Sequence, residues 1–250
     1  MMMTAKPAIV PSRLTTPRGL TATLHRVSLF KSASTVSLWT LASRITGFAR
    51  ETLIASVFGA NALTDAFNVA FRIPNLFRRL FAEGAFSQAF VPVLGAGGGQ
   101  QGDEATQEVI DNVATALAWS VLALSALGVL ASPWLVWAMA SGLQQDARGY
   151  GAAVNMTRWM FPYIALMSLV ALGAGVLNTW KGFAVPAATP VLLNVCMIGA
   201  ALWGAPLFGR WGIEPIYAMA GGVMLGGVAQ LTAQWWALRK LDLLPHVGLS

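Results

Sequence analysis

Charged residues are scarce in this sequence: Asp, Glu, Lys and Arg make up 10% of the 250 residues, while 56% are hydrophobic. A water-soluble domain usually carries roughly 25% charged residues, so a fold with an ordinary solvated surface is excluded. Cysteine is scarcer still. Cys196 stands by itself in an apolar run, which rules out an intrachain disulfide and a cysteine metal site and leaves it as a small core residue. His25 and His246 lie outside the apolar runs and form no metal site. No GxxxxGK loop is present, so nothing points to nucleotide hydrolysis. Residues 1–30 lack the apolar core of a signal peptide. They contain Lys6, Arg13, Arg18 and Arg26 and read as a flexible, basic cytoplasmic leader.

What the chain does contain is long apolar stretches joined by short turns. A bilayer-spanning helix needs about 20 mostly apolar residues. Six such segments are predicted, at about 34–58, 63–94, 106–131, 152–177, 187–207 and 216–238. The second is broken near Pro74 and Gly84, the third is followed by a continuation or interfacial piece over 133–140, and the fourth kinks at Pro162. Residues 95–102 form a glycine-rich loop. The reading is an all-α polytopic membrane protein with a leader at 1–30, a six-helix transmembrane unit at 31–242 and the start of a cytoplasmic linker at 243–250.

The net charge of +6 also fits a membrane protein better than a nucleic-acid binder, because the basic residues sit at helix ends or inside helices. With the N-terminus inside, the cytoplasmic face receives Lys6, Arg13, Arg18, Arg26, Lys31, Lys181, Arg239 and Lys240, and the outer face only Arg148 and Arg210. That asymmetry puts both ends in the cytoplasm. Gly222 and Gly226 form a GxxxG flanked by Gly221 and Gly227, and Gly173 and Gly175 lie on the fourth segment. Both groups predict close helix contacts.

The charges inside the apolar segments carry the functional signal. An arginine at mid-bilayer costs at least about 2.5–3.5 kcal/mol, yet Arg44 and Arg50 lie in the first segment. Arg50 has the option of snorkelling beside Glu51; Arg44, between Trp39 and Phe48, has no such excuse. In the second segment, Asp65, Arg72, Arg79 and Glu83 are spaced by seven, seven and four, which puts them within about 40° of one another on an ideal helix, with Arg78 alongside. Such a stripe suits an amphipathic surface helix or a spanning helix beside a water-filled cavity. The second accounts for both signs on one face. Arg158 is either interfacial or internal. Five arginines (Arg44, Arg50, Arg72, Arg78, Arg79) against Asp65 and Glu83 make a net cationic cavity. A guanidinium fork binds phosphate or carboxylate through paired hydrogen bonds, so the expected cargo is anionic, such as a phosphate-bearing lipid.

At these residues the sequence resembles the MurJ (MviN) family of lipid II flippases. The resemblance rests on 43–51 (SRITGFARE), 64–67 (TDAF), 71–79 (FRIPNLFRR) and 81–92 (FAEGAFSQAFVP), with weaker matches at 161–163, 177–180 and 190–194, and covers about 28–244. It implies one lobe of the MOP/MATE-like flippase fold, with the second lobe of the family missing from this chain. It implies translocation of lipid II, an undecaprenyl-pyrophosphate-linked disaccharide peptide, from the inner to the outer leaflet of the bacterial inner membrane by alternating access. By motif, Arg44, Arg50, Arg78 and Arg79 would hold the headgroup, Asp65 and Glu83 match functionally important acids, and Arg72 matches a basic position. No cofactor and no nucleic acid are expected. Membrane lipids and cell-wall synthesis proteins are the expected partners besides lipid II.

Other readings remain open at this stage. An exporter of the same superfamily would carry a polysaccharide precursor or a drug. A membrane enzyme acting on polyprenyl phosphates would need clustered carboxylates, and Asp103, Glu104, Glu108 and Asp111 do cluster, although acids at a helix start also suit the helix dipole. A noncatalytic scaffold would leave the internal arginines unexplained.

Overall fold

A computed structural model describes residues 18–78, 103–245 and 248, with side chains described for 34–76, 107–140, 142–245 and 248. The described chain is helical. Its elements are α1 (Arg18–Phe58), α2 (Ala62–Arg78), α3 (Asp103–Met139), a 3₁₀ turn (Ser141–Gln145), α4 (Ala147–Met160), α5 (Tyr163–Thr179), α6 (Ala184–Gly199), a π-helical turn (Ala200–Gly204), α7 (Ala205–Arg210) and α8 (Tyr217–Arg239). Among the described residues, three stretches are long and apolar enough to cross a membrane: 107–139, 147–179 and 184–210.

Local chemistry explains the boundaries. Gly59 takes φ +68°, a backbone that disfavours a Cβ, and ends α1. Asn61 then starts α2: its Oδ1 accepts from the backbone N–H groups of Leu63 (2.9 Å) and Thr64 (3.0 Å), as a helix N-cap does. Pro162 lacks the N–H needed to continue the ladder, so the expected kink becomes a break between α4 and α5. Asp146 caps α4 by accepting from the Arg148 N–H at 3.0 Å. At the α5–α6 turn Lys181 takes φ 61° and the Gly182 N–H closes the helix on the Leu177 carbonyl at 2.7 Å.

Several expectations are corrected. The first helix begins at Arg18, so it takes in residues 18–30 of the stretch read as a flexible leader; no proline interrupts the chain between Arg18 and Phe58. Residues 1–17 lie outside the described residues. The third segment, by contrast, runs on through Pro133 to Met139 as the continuation that was one of the two expected forms of 133–140. Ser132 Oγ bonds back to the Gly128 carbonyl at 2.8 Å in this stretch. The fifth segment is not uniform α-helix, because the π-helical turn interrupts it. The second segment is described as far as Arg78; its continuation to 94 and the loop at 95–102 lie outside the described residues.

The helices form one bundle. α6 packs between α1 and α8, α5 between α8 and α3, and α2 lies along α4. Between apolar helices in a bilayer, water supplies no hydrophobic drive, so close contact must do the holding. The GxxxG of α8 supplies it. A Cβ on Gly222 would come within 2.6 Å of Ala200 Cβ, and one on Gly226 within 3.1 Å of Leu193 Cα, so only hydrogen atoms let α8 approach α6 this closely. Gly227 meets Tyr163 of α5 in the same way. Around this seam lies the main core, with Phe67 and Ile73 from α2, Met156 and Met160 from α4, Tyr163 and Ile164 from α5, and Met219 and Val223 from α8.

The bundle has two ends. The first gathers Gly59–Asn61, the 3₁₀ turn and the α7–α8 turn, tied by an Arg148–Glu214 ion pair. The second gathers the α5–α6 turn, the start of α3 and the end of α8, where Gln107 Nε2 donates to the Leu244 carbonyl at 2.9 Å. Outward-facing tryptophans sit near both ends: Trp134, Trp137 and Trp211 at the first, Trp180 and Trp236 at the second. That is where amphipathic indoles sit at a membrane interface. Between them α1 exposes Leu38, Leu41, Ile45 and Phe48. The molecule is an all-α, multi-helix membrane protein.

Candidate functional site

The helix arrangement leaves a cavity of about 670 Å³ walled by α1, α2, α5, α6 and α8. It runs from Arg50 and Asn194 inside the bundle to Asn178 and Pro186 beside the second end. Its walls are two-sided in character. Met167, Val170, Ala171, Ala174 and Leu193 make an apolar wall, and Ser43, Arg50, Asn75, Thr189, Asn194 and Gln230 supply polar groups.

Among the described residues, Arg50 is the charge on this wall. It lies eight residues from the α1 terminus at Phe58, a depth of about 12 Å at 1.5 Å per residue. Its side chain is 16% exposed. One terminal nitrogen donates to Asn194 Oδ1 at 2.9 Å and contacts Met197 Sδ at 3.8 Å. The other pairs with the Glu51 carboxylate. The guanidinium carbon lies 5.9 Å from the centre of the Phe71 ring on α2, a cation–π contact. Nε is buried and has no hydrogen-bond partner. The cation is therefore held from three sides, with donor capacity left over. A guanidinium carries five N–H donors, and two oxygens, from Asn194 and Glu51, do not saturate them.

Asn194 is 5% exposed and engages with both ends of its amide. While Oδ1 accepts from Arg50, Nδ2 donates to the Ser43 carbonyl at 3.1 Å and to Thr46 Oγ1 at 3.0 Å. Deeper in the same cavity, Tyr163 Oη meets Gln230 Oε1 at 3.5 Å, and Gln230 Nε2 donates to the Thr189 carbonyl at 2.9 Å.

The other predicted site residues are spread out. Asp65 and Arg72 are exposed on one flank of α2 and line a separate cavity of about 610 Å³ at the first end, with Asn68, Val69, Leu143 and Asp146. Phe71 and Asn75, which face the Arg50 cavity, lie about a quarter turn around α2 from that flank. Among the described residues, Arg50 thus lines one cavity, and Asp65 and Arg72 line another. Arg44 is exposed on α1 and does not line the Arg50 cavity. Seven residues before Glu51, it shares that residue's flank of the helix. Arg158 is exposed on α4. Arg78 is the last residue of α2 and its side chain lies outside the described residues, as do Arg79 and Glu83 altogether. Of the acids near the start of α3, Glu108 is exposed and Asp111 accepts from Gln107 Nε2 at 2.9 Å.

The sequence and the helical bundle have counterparts among known proteins. The family model for lipid II flippase MurJ matches residues 54–249. This chain belongs to the MurJ family. A lipid II flippase MurJ from Burkholderia cenocepacia is 53% identical over 224 residues, which are 90% of this chain and 43% of that protein. A probable lipid II flippase MurJ from Haemophilus influenzae is 40% identical over 215 residues, covering 82% of this chain and 41% of the relative. Among solved structures, a lipid II flippase MurJ in an inward closed conformation superposes with a TM-score of 0.67 at 25% identity, over 86% of this chain and 43% of that one. The chain spans less than half the length of the MurJ relatives it matches.

Sequence reasoning picked out Arg50 but not its surroundings. Asn194, Gln230 and Tyr163 went unassigned as site residues, and so did Ser43, Thr46 and Thr189. The signal available was modest: Thr189 and Asn194 are polar residues in an otherwise apolar stretch, and Gln230 and Gln234 play the same part on α8. Polar side chains in a membrane helix rarely face lipid.

Proposed function

We propose that this chain is the N-terminal lobe of a lipid II flippase of the bacterial inner membrane, and that the Arg50 cavity takes part in holding the anionic headgroup while the lipid tail stays in the bilayer. One observation carries the reading: a part-buried arginine, its Nε buried and unbonded, on the wall of a 670 Å³ cavity between helices. A guanidinium in that position favours phosphate oxygens, because charge-assisted bonds strengthen where water is excluded. The MurJ membership supports lipid II as the cargo. Nothing in the site resembles a nucleophile beside a base, so transport without covalent chemistry fits the residues.

In this reading both ends of the chain are cytoplasmic, as the lysine and arginine asymmetry supports, and the cavity reaches toward the cytoplasmic end at Asn178 and Pro186. The flank carrying Asp65 and Arg72, together with Arg44, faces the space shared with a second lobe. Rocking of one lobe against the other then exposes that space to either side in turn. The test is binding of the purified chain to lipid II in detergent, against undecaprenol as the neutral lipid. Selective binding of lipid II, weakened about tenfold or more by Arg50→Ala, is the expected result. Equal affinity for both lipids in a folded sample would overturn the reading.

A further inference from the structure

Charge alone does not make Arg50 a good anion ligand. An arginine has many rotamers, and ordering one on binding costs roughly 0.5–1.5 kcal/mol. The structure assigns to Asn194 the role of removing that cost: it is a positioning residue that holds the Arg50 guanidinium at the cavity wall before an anion arrives. This inference rests on the anion-binding reading above and names a residue that the reading does not require.

The geometry is specific. Asn194 is on α6 and Arg50 on α1, and the amide oxygen accepts from the guanidinium at 2.9 Å. The same amide is fixed on its other side by the Ser43 carbonyl at 3.1 Å and Thr46 Oγ1 at 3.0 Å, both on α1 and both one to two helical turns before Arg50. The amide therefore cannot rotate without giving up three bonds. It is buried, so water does not compete for them. Thr46 Oγ1 is itself set by the Ala42 carbonyl at 2.8 Å. The chain of contacts runs from the α1 backbone through Thr46 and Asn194 back to the α1 side chain that faces the cavity, whose other sides meet the Glu51 carboxylate and the Phe71 ring. Asparagine suits the place because it offers an acceptor without a charge. An aspartate would accept equally well but would cancel the cation that the cavity needs, and it would set a carboxylate against the Ser43 carbonyl.

The experiment uses the full chain in detergent with two readouts. The first is the nitrogen NMR spectrum of 15N-arginine-labelled protein, with the Arg50 signals assigned by their loss in Arg50→Lys. A held guanidinium gives separate terminal-nitrogen signals; a free one rotates and gives an averaged signal. The second is affinity for farnesyl pyrophosphate, with farnesol as the neutral control. In the unaltered chain the signals are expected to be separate. In Asn194→Ala they average, and affinity falls about three- to tenfold. In Asn194→Asp they stay separate while affinity falls further, an outcome that loss of packing does not produce. Adding Asn194→Ala to Arg50→Ala causes no further loss, since the residue acts only through Arg50.

Averaged signals in the unaltered chain would overturn the positioning role, as would an equal affinity loss from Asn194→Ala with and without Arg50. Separate signals that average in Asn194→Ala, in a chain that does not prefer farnesyl pyrophosphate to farnesol, would instead overturn the anion-binding reading and reduce Asn194 to a tie between helices. If Asn194→Ala does not fold, the Asn194→Asp pair of results decides alone.

Discussion

The α6–α8 seam can be tested with two neighbouring glycines. Gly221 and Gly222 are adjacent on α8, yet a Cβ on Gly221 would have no atom within 4 Å, while one on Gly222 would sit 2.6 Å from Ala200 Cβ, 3.3 Å from the Cys196 carbonyl oxygen and 3.3 Å from Met197 Cα. Those neighbours are backbone or bound directly to it, so none can swing away. Alanine is favoured over glycine in a helix by about 0.8–1.0 kcal/mol, and that gain applies to both positions. Overpacking costs typically 1–3 kcal/mol and applies only to Gly222. The difference between Gly221→Ala and Gly222→Ala therefore isolates the contact, at about 1–3 kcal/mol in favour of Gly221→Ala. Unfolding of the purified chain by SDS titration, followed by circular dichroism, measures it. Because α6 also carries Asn194, Gly222→Ala should weaken anion binding as well, by shifting the helix that fixes Arg50. Equal unfolding midpoints for the two variants would refute the account of α8 as a helix held by close approach.

Other outcomes follow from single residues. Asn61→Ala should cost about 1 kcal/mol, because two backbone N–H groups at the start of α2 lose their acceptor; an unchanged SDS midpoint would remove Asn61 as the cap. Gln234 is fully buried with neither amide atom bonded. Gln234→Met, of similar length, should stabilise the chain by about 1–3 kcal/mol, the desolvation penalty of an unsatisfied polar group; a destabilised variant would show that the amide is satisfied in solution. Arg50→Lys keeps the charge but loses the planar fork, so its affinity for lipid II should lie between those of the unaltered chain and Arg50→Ala. Affinity equal to that of the unaltered chain would mean that charge alone acts there.

The fold was legible where composition decides it. Long apolar runs broken at Gly59–Asn61, Pro162 and Lys181–Gly182 are visible in one dimension, and so is the small-residue motif of α8. What the motif touches is not visible, since Ala200 and Leu193 look like any other apolar residues until the helices are assembled. The extent of helices was harder. Arg18–Phe30 read as a tail because basic character was taken as an end of helix, and whether 133–140 continued its helix stayed open. The site shows the same limit. Arg50 stood out as a charge in an apolar run, but which flank of α2 its cavity meets was not visible: Phe71 and Asn75 line it, while Asp65 and Arg72 line another. Height along α2 and a quarter turn of phase separate them, and neither quantity can be had from spacing within a single helix.

The π-helical turn at Ala200–Gly204 sets a rotational phase within the rod from Ala184 to Arg210. A π turn spreads its residues over a wider loop than an α turn does, so shortening it by one residue, to restore the regular ladder, would change the rotation of one half of the rod relative to the other. Leu193 and Asn194 lie together on the half before the turn, so the half after it, where Ala205 is buried and a Cβ on Gly204 would come within 3.1 Å of Ala218 Cβ, would have to turn away from the start of α8. The irregular turn thus works as a key cut into the rod: it lets the half that meets the glycine groove and offers an amide to Arg50 run on into a half that still packs on α8.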